Sequence, residues 1–230
     1  MDISGILNVD NEPGATSFQV VSFVRKRSGV RRVGHAGTLD PAATGVLLVC
    51  LGQASRISEY LMDLPKTYRG TITLGTTTTT YDAEGAVVAT GDASGVTEAM
   101  VREALNAFVG EISQTPPAYS AVKVDGQRAY RMARKGQPVT LKARPVRVYR
   151  IEVLRFEPPA GEVEVECAKG TYIRSLANDL GQALGCGAHL SALRRTHVGP
   201  FTVEDALTRD DLEKAFGDGT WTESVLPMDY

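Results

Sequence analysis

VGHAGTLDPAATGVLLVCLG, residues 33–52, sets the problem of the chain. It runs from a glycine-punctuated loop, through an Asp-Pro pair, into an apolar strand. Gly34, Gly37 and Gly45 are positions where a chain turns tightly or another group approaches its backbone. Asp40 precedes Pro41, which pushes its backbone out of the helical region and into an extended one. Val46 to Leu51 is a short apolar run with β-branched residues, the pattern of a buried strand. The stretch therefore predicts a carboxylate held on a rigid loop at the edge of a sheet, where chemistry tends to sit.

Outward from this stretch, strands and helices intermix. Ile3 to Val9 predicts a first strand. Thr16 or Ser17 caps a helix reaching Ser28, with Phe18, Val21 and Val24 on its core face and Gly29 as its stop. Ile57, Tyr60 and Leu61 predict a short helix. Tyr68, Gly70, Ile72 and Leu74 alternate in a strand ending at Gly75, and the threonine run 76–80 reads as a β-rich edge or loop. Thr97 to Val109 predicts a helix with Val101, Leu105 and Phe108 inward. Val146, Val148, Ile151 and Val153 belong to a long strand, and Val163, Val165 and Cys167 to another. Ile173, Leu176, Leu180 and Leu184 have helical spacing. Several strands look one-sided, which favours an antiparallel or mixed sheet.

The 230 residues, 43% hydrophobic and 23% charged, suit a soluble globular chain of one or two domains. No apolar run is long enough for a membrane span, and no signal peptide is expected at the N-terminus. Three scattered cysteines fit a reducing, cytoplasmic setting. The net charge of −2 names no partner, but its distribution does. Lys123, Arg128, Arg131, Arg134, Lys135, Lys142, Arg144, Arg147 and Arg150 crowd one segment, with Asp125 the one acid and Tyr130 and Tyr149 interleaved. Basic residues with aromatics are the footprint of phosphate-backbone binding, and a solvated face is the plainer alternative.

Common chemistries fail on inspection. The glycine loop lacks GxxxxGK[ST], so a Walker-type phosphate site is unsupported. No GxSxG elbow occurs. Cys186 and His189 are spaced CxxH without a second pair, and His197 has no partner in sequence, so no metal site is expected. What remains is Asp40, the basic segment, and KGTYIRSLANDLG (residues 169–181), where Tyr172 and Arg174 open a helix. An arginine buried there would need an anion, and pairing with Asp40 would keep that carboxylate ionised. A structural ion pair or an exposed charge are the alternatives.

At this point the residues resemble a known family. GHAGTLDPAATGVL, KTYRGTITLGTTTTTYDAEG, QTPPAYSAVK, ARPVRVY, KGTYIRSLANDLG and LGCGAHLSALRRTHVGPF occur in order, and together they resemble the TruB-type tRNA pseudouridine synthases over nearly the whole chain. The resemblance implies an α+β fold, a mixed and largely antiparallel central sheet flanked by helices, with a basic insertion. It implies one catalytic domain over residues 1–230, an RNA-gripping insertion at about 123–145, and no C-terminal RNA-binding domain in this chain. It implies a cofactor-free isomerisation of a T-loop uridine in tRNA, by a monomer needing no protein partner. Asp40 would be the nucleophile. The flipped base would leave a space filled by His35. Tyr68 would stack on the uracil, Arg174 would pair with Asp40, Tyr172 would join them in binding the substrate, and Leu193 would wall the pocket. Lys123, Arg128, Arg131, Arg134, Lys135 and Arg144 would grip the RNA. A non-catalytic tRNA-binding or tRNA-folding module is the alternative, one that would need only the basic segment. One departure stands out: family members begin with a Lys-Pro pair, and here Asn11 occupies the lysine's position.

Overall fold

The computed structural model describes residues 3–124 and 126–228, so Asp125 lies outside it. Two compact units divide the chain: Met1–Tyr68 with Leu193–Tyr230, and Arg69–Ala192.

The first unit opens with β1 (Gly5–Asn11), α1 (Ser17–Ser28), β2 (Val33–Ala36), β3 (Ala43–Leu51) and α2 (Ser58–Asp63). β1 and β2 both pair antiparallel with β3, which brings Asn11 opposite Gly45 and His35 opposite Val49. Side chains alternate across a strand, and both faces of β3 are covered. Leu47, Val49 and Leu51 pack with Leu7, Val9 and the Val20, Val21 and Val24 face of α1. Val46, Leu48 and Cys50 pack with Ile6, Leu61, Val198 and Phe201. This two-sided burial is why residues 46–51 read as an unbroken apolar run rather than an alternating one.

α1 is bounded as its sequence predicts. Thr16 and Gln19 form a capping box, and Gly29 closes the helix in the left-handed region with φ 68°. Its core face is corrected: Phe18 is 71% exposed, and Val20 takes the inward place beside Val21 and Val24. Tyr60 on α2 likewise points to solvent.

β4 (Lys66–Leu74) carries the chain into the second unit, followed by the hairpin of β5 (Thr76–Thr78) and β6 (Val87–Thr90). Then come α3 (Glu98–Asn106), β7 (Gly110–Gln114), the small hairpin β8 (Lys123–Val124) and β9 (Gln127–Arg128), and α4 (Ala129–Arg134). The long β10 (Arg144–Glu157) pairs antiparallel with β7 and with β11 (Ala160–Cys167). Its inward residues shift phase, from Val146 and Val148 to Val153, and a register shift between Val148 and Arg150 is the cause. α5 (Ile173–Ala183) follows.

β12 (Ala188–Val198) returns the chain to the first unit, where β13 (Phe201–Thr202) and α6 (Arg209–Asp218) complete it. Leu193, Arg194 and Arg195 run parallel to Ala43, Thr44 and Gly45. The fold is thus α+β, with a mixed, mostly antiparallel sheet and flanking helices.

Gly45 has φ 99°, and a Cβ built on it would lie 2.1 Å from the carbonyl oxygen of Arg195. That is a collision with backbone, which no rotamer relieves. Gly45→Ala is expected to destabilise the chain by at least about 2 kcal/mol, read as a lowered urea midpoint. A midpoint within error of the parent would show that the β3–β12 pairing tolerates a wider spacing.

Candidate active site

In the first unit the loop between β2 and β3 is pinned at successive points. Arg195, only 1% exposed, donates from Nε to the Val46 carbonyl (2.8 Å) and from Nη2 to the Gly37 carbonyl (3.1 Å). Gly37 has φ 92°, a conformation open to glycine at little cost. The Leu39 amide donates to Ser17 Oγ (3.1 Å), and the Leu39 side chain is buried. The Ala43 amide donates to the Asp40 carbonyl (2.9 Å), closing a turn, and the Gly14 amide donates to the Pro41 carbonyl (3.3 Å). Asp40 therefore sits half-buried on a backbone fixed before and after it.

Asn11 adds a further tie. It is 1% exposed, and its Nδ2 lies 3.1–3.3 Å from the carbonyls of Glu12, Ala15 and Ala43. The carboxamide thus joins the end of β1, the following turn and the first residue of β3. A neutral side chain of this length serves here as an internal brace.

His35 is half-buried on β2, and its Nδ1 is buried with no hydrogen-bond partner among the described residues. Burial, and secondarily the Arg195 guanidinium, hold its pKa below the usual imidazole value. The ring is neutral at physiological pH. Leu193 is half-buried against the α1-side core, in register with Ala43. Tyr68 is half-buried on β4, next to Thr67, whose carbonyl accepts from Thr196 Oγ1 on β12 (3.2 Å). Thus β2, β3, β12 and the start of β4 bring His35, Asp40, Leu193 and Tyr68 into one unit.

In the second unit Arg174 is 4% exposed at the start of α5. It donates to the carbonyls of Thr80 (3.2 Å) and Tyr119 (3.0 Å), and its Nη1 lies 3.3 Å from Asp82 Oδ2. Asp82 is itself buried, and its other oxygen accepts from Thr80 Oγ1 (2.5 Å) and from the Glu84 amide (3.1 Å). Tyr81 between them has φ 63°, an uncommon conformation for a residue of its size. Tyr172 is held through its backbone. Its amide donates to Gln114 Oε1 (2.8 Å), and Gln114 Nε2 donates back to its carbonyl (3.1 Å).

The basic segment, from Lys123, follows shortly after Tyr119, whose carbonyl accepts from Arg174. Lys123 and Arg128 face each other across the β8–β9 hairpin. The Ala129 amide bonds the Val122 carbonyl, the Tyr130 amide bonds the Ser120 carbonyl, and Ala129 is fully buried as the anchor. Arg131 and Arg134 both lie over the Tyr130 ring, at 5.9 and 5.6 Å from its centroid. The hydrogen bond from Arg131, with the surrounding guanidinium charges, lowers the Tyr130 pKa. Lys135 closes α4, and Arg144 is exposed at the start of β10.

Asp82 and Arg195 went unnoticed as site-forming residues in the sequence, and Asn11 stood out there only as a departure from the family's lysine. Asp82 lies within a quoted motif, and Arg195 follows another arginine, but neither spacing says which charge turns inward. No group of side chains suited to a metal ion occurs among the described residues. Cys50, Cys167 and Cys186 are buried, and burial pushes the Cys50 thiol up to about 11.

Fold and site together define a class: an α+β chain whose mixed, mostly antiparallel sheet carries an aspartate on a pinned loop. A solved structure described as a Cbf5-Nop10-Gar1 complex aligns with TM-score 0.77 at 36% identity, over 98% of this chain and 60% of that one. An H/ACA RNP bound to a substrate RNA containing 2'-deoxyuridine aligns with TM-score 0.74 at 33% identity, over 98% and 59%. The chain thus spans about three-fifths of these neighbours. The sequence matches the N-terminal domain of the TruB family pseudouridylate synthases over residues 25–173, and the tRNA pseudouridylate synthase B C-terminal domain over residues 174–230. It is 52% identical to tRNA pseudouridine synthase B of Thermobifida fusca (97% of this chain, 77% of the relative). It is 50% identical to that of an Arthrobacter species (91% and 71%). The chain belongs to the TruB family of pseudouridylate synthases.

A histidine whose folded pKa lies below its unfolded one takes up its proton preferentially in the unfolded chain. Its contribution to stability is full above about pH 6.5 and is lost as pH falls toward the folded pKa. His35→Gln is therefore expected to lose less stability than the parent between pH 7.5 and 5.5, measured by urea denaturation. Parallel pH profiles for the two proteins would mean that His35 titrates alike in both states.

Proposed function

We propose that this chain converts a uridine in the T-loop of tRNA to pseudouridine, acting as a monomer in the cytoplasm with Asp40 as nucleophile. The observation that carries the reading is the pinned loop: in a TruB-family chain, the backbone around Asp40 is tied at Gly37, Leu39 and Pro41 by groups from elsewhere in its unit. Such preorganisation is what positions a reacting group. The buried free thiols fit a reducing compartment.

The reaction is internally balanced. The N1–C1′ bond of the uridine breaks, the uracil turns, and C5 bonds to C1′. The C5 proton leaves to solvent and N1, freed of its bond to C1′, gains one. A carboxylate serves by attacking C1′ or C6, or by drawing a ribose proton so that the base departs, and each course divides one hard step into easier ones. The stacked base must first leave the RNA loop. The neutral, half-buried ring of His35 suits the space it leaves. Tyr68 supplies an aromatic face for the uracil, and Leu193 an apolar wall. Arg174, fixed on Asp82 and two carbonyls and with Tyr172 beside it, is a rigid cation that pairs with Asp40 in this reading. Asp82 is then a positioning residue, holding the fork of Arg174 in orientation.

Asp40→Asn keeps size and polarity and removes the nucleophile. Release of tritium from tRNA labelled at uridine C5 is expected to fall to background, with affinity changed by less than about tenfold. Substantial turnover by the variant would refute the assignment.

The exposed cations around Tyr130 are the RNA grip of this reading. Each lost phosphate contact lowers the salt slope of binding by close to one unit. Arg131→Ala with Lys135→Ala is expected to weaken tRNA binding and flatten that slope, measured by filter binding across salt concentrations. Wild-type affinity with an unchanged slope would make the segment a solvated surface.

A further inference from the structure

A second cluster of cations lies in the first unit, outside the basic segment. RKRSGVRR, residues 25–32, holds Arg25, Lys26, Arg27, Arg31 and Arg32 without an acid. All five are exposed. Like charges this close repel one another, and in a chain of net charge −2 they are not needed to keep the whole molecule charged.

The cluster is rigidly mounted. Val24, Val30 and Val33 are buried beneath it. Gly29 turns the chain in the left-handed conformation and caps α1 onto the Arg25 carbonyl (3.2 Å). Arg25 donates from Nη2 to the Val33 carbonyl (2.7 Å), tying the helix end to β2. The Arg32 carbonyl accepts from the Gly52 amide (2.8 Å), fixing the second half of the cluster to the end of β3. Arg25 thus has a structural task, and Arg27 lies 5.7 Å from the Phe23 ring centroid. Lys26 and Arg31 have no such packing role in the structure described. The last two helical residues before Ser28 are also cations, which the helix dipole favours, but that reason does not extend to Arg31 and Arg32 beyond the helix.

Position argues for the ligand. β2 begins at Val33, so Arg32 precedes His35 by three residues, about 10 Å along an extended chain. His35 and Asp40 mark where the base is handled in the reading above. Backbone phosphates flanking a base in that place come within reach of cations set this distance up the strand.

We propose that residues 25–32 form a second RNA-binding surface, which takes the sugar-phosphate backbone next to the target uridine by charge rather than by base identity. The proposal rests on the tRNA reading of the site. It assigns the first unit its own grip on the substrate, separate from the cations around Tyr130.

The test uses Lys26→Ala/Arg31→Ala in the full chain, with binding of unmodified tRNA measured from low to high salt. The slope of log affinity against log salt is expected to fall by about 1.5 units, since each phosphate contact contributes roughly 0.7–0.9. Lys26→Arg/Arg31→Lys keeps both charges and is expected to keep the parental slope, which separates charge from any effect on folding. An unchanged slope in the alanine variant overturns the proposal, as does an equal fall in the charge-conserving one. Tritium release by the unsubstituted chain is followed in parallel. Its presence with an unchanged variant slope leaves the isomerase reading standing and removes this surface, whereas absence of both release and tRNA binding removes both.

Discussion

Residue 45 has no side chain, and the first unit depends on that. The Arg195 carbonyl oxygen occupies the place a Cβ would take, so β12 can run parallel to β3 at full contact. This approach sets Arg195 on its buried side. From there its guanidinium reaches the Val46 and Gly37 carbonyls and ties strand to loop. A buried cation is costly unless its donors find partners, and here two backbone carbonyls accept from Nε and Nη2. The same contact explains the electrostatics of His35, whose proton is disfavoured by burial and by that nearby charge. One glycine thus connects strand pairing, loop geometry and the protonation state of a site residue.

Much of this was legible in the sequence because local chemistry and tertiary structure agree. The Thr16 cap, the Gly29 stop, the two-sided burial of 46–51 and the alternation of β11 all follow from patterns that packing reinforces. Phe18 fails for an instructive reason. Helical spacing allows it beside Val21, but the core is met by Ser17, Val20, Val21 and Val24, and a ring on the outer side of Val21 falls beyond the edge of that stripe. The phase change in β10 needed the register shift at Val148 to make sense, and a bulge has no fixed sequence mark when no glycine announces it.

The charged residues were the hardest to place. Arg194 and Arg195 are neighbours of one type, and a strand sends them to opposite faces. Arg194 reaches Asp10 at 2.7 Å and stays partly exposed, while Arg195 is buried at 1% exposure. Only the pairing of β12 with β3 decides which turns inward. Asp82 is similar. Its burial depends on the turn at Tyr81 and on Arg174, which lies 92 positions later in the chain, so no local window contains the reason for it.

Asn11 shows how a neutral side chain can serve as a buried tie at the end of β1. A lysine there would bring a charge that must be solvated or paired. The asparagine brings two uncharged N–H donors shared among three carbonyls within 3.3 Å, one of them on the first residue of β3. The gain is a tie that does not respond to salt or to pH. The loss is conformational adaptability, since a short carboxamide reaches those carbonyls only if β1, the 12–15 turn and β3 are already in place. Arg195 holds the same loop from the opposite strand with the longer, charged reach that Asn11 lacks. Asp40 is therefore held between a short neutral brace and a long cationic one, and the precision of its placement comes from the two being anchored on different strands of one sheet.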